Sequence, residues 1–263
     1  MRDKRASLSS WSSSSFTLNF LSASGLPTKM YYLLIGGDDF SARVDTGTVP
    51  TSTGNQDYTG VADGKALITW NGGGITSLNS TLSHFGYGIS FADSDNDSYS
   101  RSLFVQDATN TVAWGQSLYA IHAVTSSGAT SFRGGALIQN PLGASTFRLN
   151  WSIAPASEYH FGYIHLGGAG LKAKVGELTA TSTSQSVNLV DQSPRAVLFS
   201  GRGVSLTGAA SGTGDEALSV GYGDPQVIGT RNTCTGVGLT ASAGGCSSFN
   251  GIPQAQNARV LAH

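Results

Sequence analysis

The acidic run at residues 93–98 is the strongest candidate for chemistry in this sequence. Asp93, Asp95 and Asp97 alternate with serine and asparagine, and carboxylate and amide oxygens are the ligands that calcium prefers. An EF-hand loop would carry glycine at its sixth position and glutamate at its twelfth, where this chain has Ser98 and Phe104. Two interpretations are therefore open: the three aspartates bind calcium through a partial motif, or they form a solvated acidic turn.

The two cysteines, Cys234 and Cys246, lie in a glycine-rich stretch. Zinc sites need further cysteine or histidine ligands at short spacings, and none accompany this pair. The spacing leaves two alternatives, a disulfide that closes the loop between them or two free thiols.

No catalytic or cofactor-binding residues can be selected from the sequence. His160 and His165 are five residues apart in an expected strand, so they would point to opposite faces and make poor co-ligands. Serine is abundant, but no Gly-x-Ser-x-Gly nucleophile elbow and no phosphate-binding loop is present. The sequence predicts a protein that is not an enzyme, with calcium as the one cofactor left open.

Composition narrows the class of partner. The net charge of −1 argues against a nucleic-acid-binding surface. Charged residues make up only 12% of the chain, which has 35 glycines and 39% apolar residues. The charged N-terminus lacks the apolar segment of a signal peptide, and no apolar run is long enough to span a membrane. These features predict a protein that is made in a host cytoplasm, without membrane contact.

An internal repeat covers most of the chain. At an offset of 131 residues, 9 of the 29 positions from 16 to 44 are identical, and further blocks match in the same order. The matched blocks are 16–20 with 147–151, 32–37 with 163–168, 65–68 with 195–198, and 86–88 with 221–223. We expect two similar domains, residues 1–131 and 132–263, the second with a loop insertion at 224–256 and a missing final strand.

Each copy reads as β-strands. Residues 16–20, 41–44 and 172–175 alternate apolar and polar side chains, as half-buried strands do. Short apolar runs at 31–35 and 66–70 are bounded by glycine or asparagine and suit central strands. The prediction is an all-β protein with two tandem, internally repeated β-sandwiches of the jelly-roll type.

The repeated motifs suggest a family. Phe-x-Leu-Asn-[Phe/Trp] at 16–20 and 147–151, with Tyr-x-x-[Ile/Leu]-Gly-Gly at 32–37 and 163–168, resembles the tandem β-sandwich modules of tailed-bacteriophage virion proteins. The resemblance implies a structural role as a capsid decoration, head-fibre or tail component. It also implies a location in the virion, with other copies of the chain and other virion proteins as partners.

Two other functions are weighed against this one. The chain could be an adhesin that binds carbohydrate or a host-surface glycan, with Trp11, Trp70, Trp114 or Trp151 as a stacking platform. It could also be a glycan hydrolase, which would need two carboxylates about 5–9 Å apart in a cleft. An exposed aromatic patch would favour the adhesin.

Overall fold

The computed structural model describes thirteen stretches of the chain and contains no helix in them. These stretches are 5–12, 15–22, 38–72, 84–106, 112–124, 132–139, 142–143, 145–177, 197–202, 211–213, 216–223, 233–239 and 246–250. The predicted all-β class is confirmed. The chain divides into two compact units, residues 1–34 and residues 35–263. Within the described stretches, no helix is long and apolar enough to cross a membrane.

The described residues form seventeen strands. Residues 1–34 contain β1 (Arg5–Trp11) and β2 (Phe16–Ser22), which pair antiparallel. The strands of residues 35–263 are β3 (Ser41–Val49), β4 (Gly54–Thr59), β5 (Gly64–Asn71), β6 (His84–Asp93), β7 (Ser98–Gln106), β8 (Val112–Ser117), β9 (Ile121–Val124), β10 (Phe132–Ile138), β11 (Thr146–Ile153), β12 (Tyr159–Gly167), β13 (Val197–Arg202), β14 (Ser211–Thr213), β15 (Glu216–Gly223), β16 (Thr233–Leu239) and β17 (Cys246–Asn250).

A seven-stranded antiparallel sheet has the order β14-β8-β7-β6-β5-β12-β3. Strand β12 lies between β3 and β5, so that Ile164 is paired with Val44 on one side and with Ile68 on the other. Strands on both sides of the 131/132 boundary therefore belong to one sheet. The boundary expected from the repeat does not separate one sheet from another.

A four-stranded sheet, β4-β11-β10-β9, packs against the seven-stranded sheet. The ring of Phe147 lies 5.4 Å from that of Tyr58 in its own sheet and 5.1 Å from that of Tyr163 in the other. Trp151 is fully buried and donates a hydrogen bond from Nε1 to the Tyr58 hydroxyl at 3.1 Å. These contacts join the two sheets through one apolar core.

Strand β12 lies between β3 and β5 and is buried along most of its length. Gly162 lies opposite Trp70 on β5, and a Cβ atom at this position would come within 2.2 Å of the Trp70 Cε2 atom. The absence of a side chain at Gly162 therefore makes room for the indole.

A separate four-stranded sheet has the order β13-β15-β16-β17. Strands β16 and β17 lie inside the segment 224–256, so this segment is not a loop throughout. That it is an insertion relative to the first copy stays a prediction. Val237 and Leu239 alternate with glycine along β16. The glycines suggested a loop, whereas the alternating apolar residues suit a strand.

Several other predicted strands can be compared with the structure. Residues 41–44 fall in β3 and residues 66–70 in β5, as predicted. Residues 172–175 belong to no strand, although the exposure of their side chains alternates. The predicted strand at 31–35 and the expected absence of a final strand in the second copy lie outside the described residues.

Candidate functional site

The acidic run forms the turn between β6 and β7. Asp93 is completely buried, and its Oδ1 atom accepts hydrogen bonds from the backbone N–H groups of Asp95 (3.0 Å) and Asp97 (3.2 Å). Asn96 adopts a φ of 68°, which asparagine tolerates better than most residues. The Asp93 carboxylate thus holds the turn in shape.

Lys174 brings a cation to this turn from a segment far along the chain. Its Nζ atom lies 2.5 Å from Asp97 Oδ2, 3.3 Å from Asp95 Oδ2 and 3.5 Å from Asp93 Oδ2. The hydrogen bond to Asp97 and the neighbouring carboxylates raise the pKa of Lys174 above its usual value. The backbone N–H of Val175 also donates to Asp93 Oδ2, at 2.9 Å.

This arrangement brings the three predicted calcium ligands together, but around an ammonium group. Among the described residues no group of three or more histidine, cysteine, aspartate or glutamate side chains could hold a metal ion. Calcium binding by Asp93, Asp95 and Asp97 stays a prediction, and calcium would have to displace Lys174. No residue near the acidic run pointed to Lys174, which lies 77 residues beyond Asp97.

His165 is a core residue on β12. Its Nδ1 atom accepts a hydrogen bond from the Val61 N–H at 3.0 Å, so the ring proton of the neutral form is on Nε2. Nε2 makes no hydrogen bond of standard geometry, but it interacts with the backbone carbonyl of Leu142. Burial lowers the pKa of His165 to about 4. His160 is only partly buried, and no site unites the two rings.

His122 and Ser102 form a buried pair between β9 and β7. The Ser102 hydroxyl and His122 Nδ1 lie 3.1 Å apart, and desolvation lowers the pKa of His122 to about 4. A serine nucleophile must reach its substrate, whereas both of these side chains are almost fully buried. The geometry suits a structural contact.

The Ser102 contact is one of a set of polar contacts that fix residues 117–122 against the seven-stranded sheet. Thr69 donates to the Ala120 carbonyl at 2.8 Å, and Asn71 donates to the His122 carbonyl at 2.9 Å. Ser98 donates to the Leu118 carbonyl. These side chains satisfy backbone groups where the chain crosses from one sheet to the other, which burial requires. No pattern in the sequence indicated these buried polar contacts.

The cysteines lie on neighbouring strands but not opposite each other. Cys246 pairs with Leu239, five positions along β16 from Cys234. At about 3.3 Å per strand residue, that offset is roughly 16 Å, whereas a disulfide joins Cα atoms less than about 7 Å apart. In this register the two Cα atoms are too far apart for a disulfide, and the state of the two thiols stays a prediction.

The tryptophans do not form a platform in the described structure. Trp151 is in the core, and Trp70 is partly buried over Gly162. The side chains of Trp11 and Trp114 lie outside the described residues.

Several carboxylates of the sandwich are engaged by basic side chains. Arg148 forms two hydrogen bonds with Asp57, at 2.6 and 2.8 Å, and lowers the pKa of that carboxyl. Arg43 binds Asp45 at 2.6 Å, and Lys65 binds Asp63 at 2.7 Å. These three carboxylates are held in ion pairs at the surface of the sandwich.

Large apolar side chains are exposed at five described positions, four of which lie on strands. Leu8 on β1 is 57% exposed, Phe20 on β2 is 46% exposed and Val44 on β3 is 69% exposed. The others are Leu118 and, on β10, Leu137. Strand-borne apolar groups and sheet edges are surfaces that pair with other chains.

Comparison with known proteins adds no relative. Protein-family models, curated proteins and solved structures each give no match to this chain.

Proposed function

We propose that this chain is a non-enzymatic structural subunit of a bacteriophage virion. In this proposal it acts as a capsid decoration, head-fibre or tail component and assembles with copies of itself and with other virion proteins. The assignment to a phage depends on the repeated sequence motifs at 16–20 and 147–151 and those that follow them. The proposal that the chain assembles with other subunits depends on the apolar side chains exposed at its surface.

The observation that supports assembly best is the position of the exposed apolar groups. Leu8 and Phe20 lie on β1 and β2, which form a two-stranded sheet with both outer edges open. A small-molecule enzyme concentrates apolar surface in a concave pocket. Apolar groups on open strands instead favour burial against a second protein surface.

The tandem repeat belongs to the same proposal. The repeated sequence unit and the folded unit are out of phase, because β11 and β12, from the second sequence copy, complete sheets that begin in the first. In this proposal, strands from one sequence copy complete the sheets of the other. Jelly-roll topology for each copy is part of the proposal.

Binding of a host-surface glycan is the second candidate. Phe20 is an exposed aromatic side chain, and sugar rings stack on such groups. A glycan array separates the two candidates, since specific binding by the wild type that is lost in Phe20→Ala would favour the adhesin.

The proposal is tested by quantitative mass spectrometry of purified phage particles. We expect the chain in intact particles at many copies per particle, and its retention after washing at high salt. Its presence in the lysate but not in particles would overturn the proposal.

A further inference from the structure

We propose that the β1–β2 hairpin of one copy covers the β13-β15-β16-β17 sheet of a second copy of this chain. The proposal rests on the proposed function only in requiring contact between copies. It names the two surfaces that meet, and it makes β1–β2 the intermolecular counterpart of a hairpin that the chain already uses internally.

That internal counterpart is the hairpin β10–β11. In β1–β2, Ala6, Ser7 and Leu8 pair with Phe20, Asn19 and Leu18. In β10–β11, Ala136, Leu137 and Ile138 pair with Trp151, Asn150 and Leu149. The β2 and β11 residues are those that the 131-residue offset superposes, so the two hairpins share their register.

An irregularity in the pairing is shared as well. Both hairpins skip one residue before the next pair, which is Arg5 with Ser22 in one and Gly135 with Ile153 in the other. A bulge fixes register and local twist. The same bulge at the same repeat position indicates that both hairpins have the shape needed to pack against the same kind of sheet.

The two hairpins differ in what covers them. Trp151 and Leu149 are fully buried, and Ile138 is nearly so, because β10–β11 packs against the seven-stranded sheet. At the equivalent positions of β1–β2, Phe20 and Leu8 are about half exposed. The first hairpin therefore carries the apolar pattern of a core layer without the burial.

The second hairpin also identifies the kind of surface that such a layer covers. In the sandwich, the covered sheet contains the antiparallel meander β5-β6-β7-β8. The sheet β13-β15-β16-β17 is a meander of the same strand order, and its first strands correspond to β5 and β6 through the repeat blocks at 195–198 and 221–223. On β13, the first strand of this sheet, Val197 and Leu198 are only partly buried.

Serines close the hairpin at its turn. Ser12 Oγ accepts a hydrogen bond from the Ser15 N–H at 3.0 Å, and the Ser12 N–H donates to the Ser15 carbonyl at 2.8 Å. The hairpin thus has a defined shape before it docks. Docking from one copy to the next would be head-to-tail, which yields a ring or a filament.

The test is photo-cross-linking with a benzophenone analogue of phenylalanine in place of Phe20, in an equal mixture of 15N-labelled and unlabelled full-length chains. We expect adducts with peptides of residues 197–250 in which one peptide is labelled and the other is not. Adding Leu8→Ser to the same chain should abolish these adducts.

The matched control places the analogue at Val44 on β3, which is more exposed than Phe20 (69% against 46%) and should give no adduct in residues 197–250. Adducts that join only peptides of the same label would overturn the proposal, because the hairpin would then dock on its own chain. Adducts elsewhere, or none, would overturn it too. Failure of this test leaves detection in particles unaffected, so the two proposals fail separately.

Discussion

His122 and His165 are held neutral by the surroundings that β7, β9 and β12 provide. Each has a pKa of about 4 in the fold, against about 6.5 in an unfolded chain. Between these values the unfolded chain binds more protons than the folded one, so the free energy of unfolding falls as pH falls.

We therefore predict that lowering the pH from 7 to 5 reduces the free energy of unfolding by about 2 kcal/mol per buried histidine. His165→Asn keeps an acceptor for the Val61 N–H and cannot titrate. Denaturant unfolding at pH 7, 6 and 5 should show a shallower pH dependence for this variant. Equal slopes for the wild type and the variant would contradict the prediction.

Trp151 and Phe20 occupy equivalent repeat positions with opposite environments. We predict that Trp151→Ala lowers the free energy of unfolding by about 3–5 kcal/mol, since it leaves a cavity in the core. Phe20→Ala should cost less than about 1 kcal/mol in a dilute sample, because a half-exposed side chain loses little burial. Urea unfolding at low protein concentration makes the comparison, and equal losses would contradict it.

At the residue scale the sequence predicted the acidic turn at 93–98 but not the lysine that binds it. The run 93–98 does form an acidic turn, because asparagine and aspartate favour tight turns. Lys174 could not be assigned to it, since an ion pair over 77 residues depends on how the sheets bring distant segments together. Ser98 and Ser102 were missed as interior groups because hydroxyl side chains on a strand normally indicate its solvent-facing side.

The turn between β6 and β7 is anchored as an element by Lys174. We predict that Lys174→Gln lowers the free energy of unfolding by about 1 kcal/mol, since three carboxylates lose their common cation and a network of charges is worth more than an isolated pair. Thermal unfolding with and without calcium should show no calcium effect in the wild type. Lys172→Gln is the control, for which no such loss of unfolding free energy is expected. A calcium-dependent rise in the wild-type Tm would instead support a calcium site at Asp93, Asp95 and Asp97.

The register of β16 and β17 makes a chemical prediction. Because Cys234 and Cys246 are five positions apart in register, they should remain unpaired. Ellman's reagent on protein unfolded in guanidinium without reductant should detect two thiols per chain, while Cys246→Ser should give one. Fewer than one thiol in the wild type would mean that this register is wrong.

At the element scale, strands with apolar residues in period two or in short runs were predictable. β3 and β5 are examples, because their patterns reflect which faces are buried. The strands β16 and β17 were not, since glycine and serine fill the positions between their few apolar residues. A glycine-rich strand and a glycine-rich loop have nearly the same composition.

For the whole molecule, the repeat told which segments are alike but not which segments pair. β12 lies between β3 and β5 although the repeat assigns it to the other half of the chain. Strand pairing depends on the order in which strands lie in the whole sheet, and a sequence offset contains no information about that order. The all-β class was therefore predictable, whereas the sharing of sheets between the halves was not.

We propose that copies of this chain assemble through the β1–β2 hairpin. The most direct measurement is the native mass by size exclusion with light scattering, for the wild type, Leu8→Ser with Phe20→Ser, and Val44→Ser. We predict a multiple of 27.1 kDa for the wild type and Val44→Ser, and 27.1 kDa for the hairpin variant. A wild type of 27.1 kDa at its highest soluble concentration would contradict it.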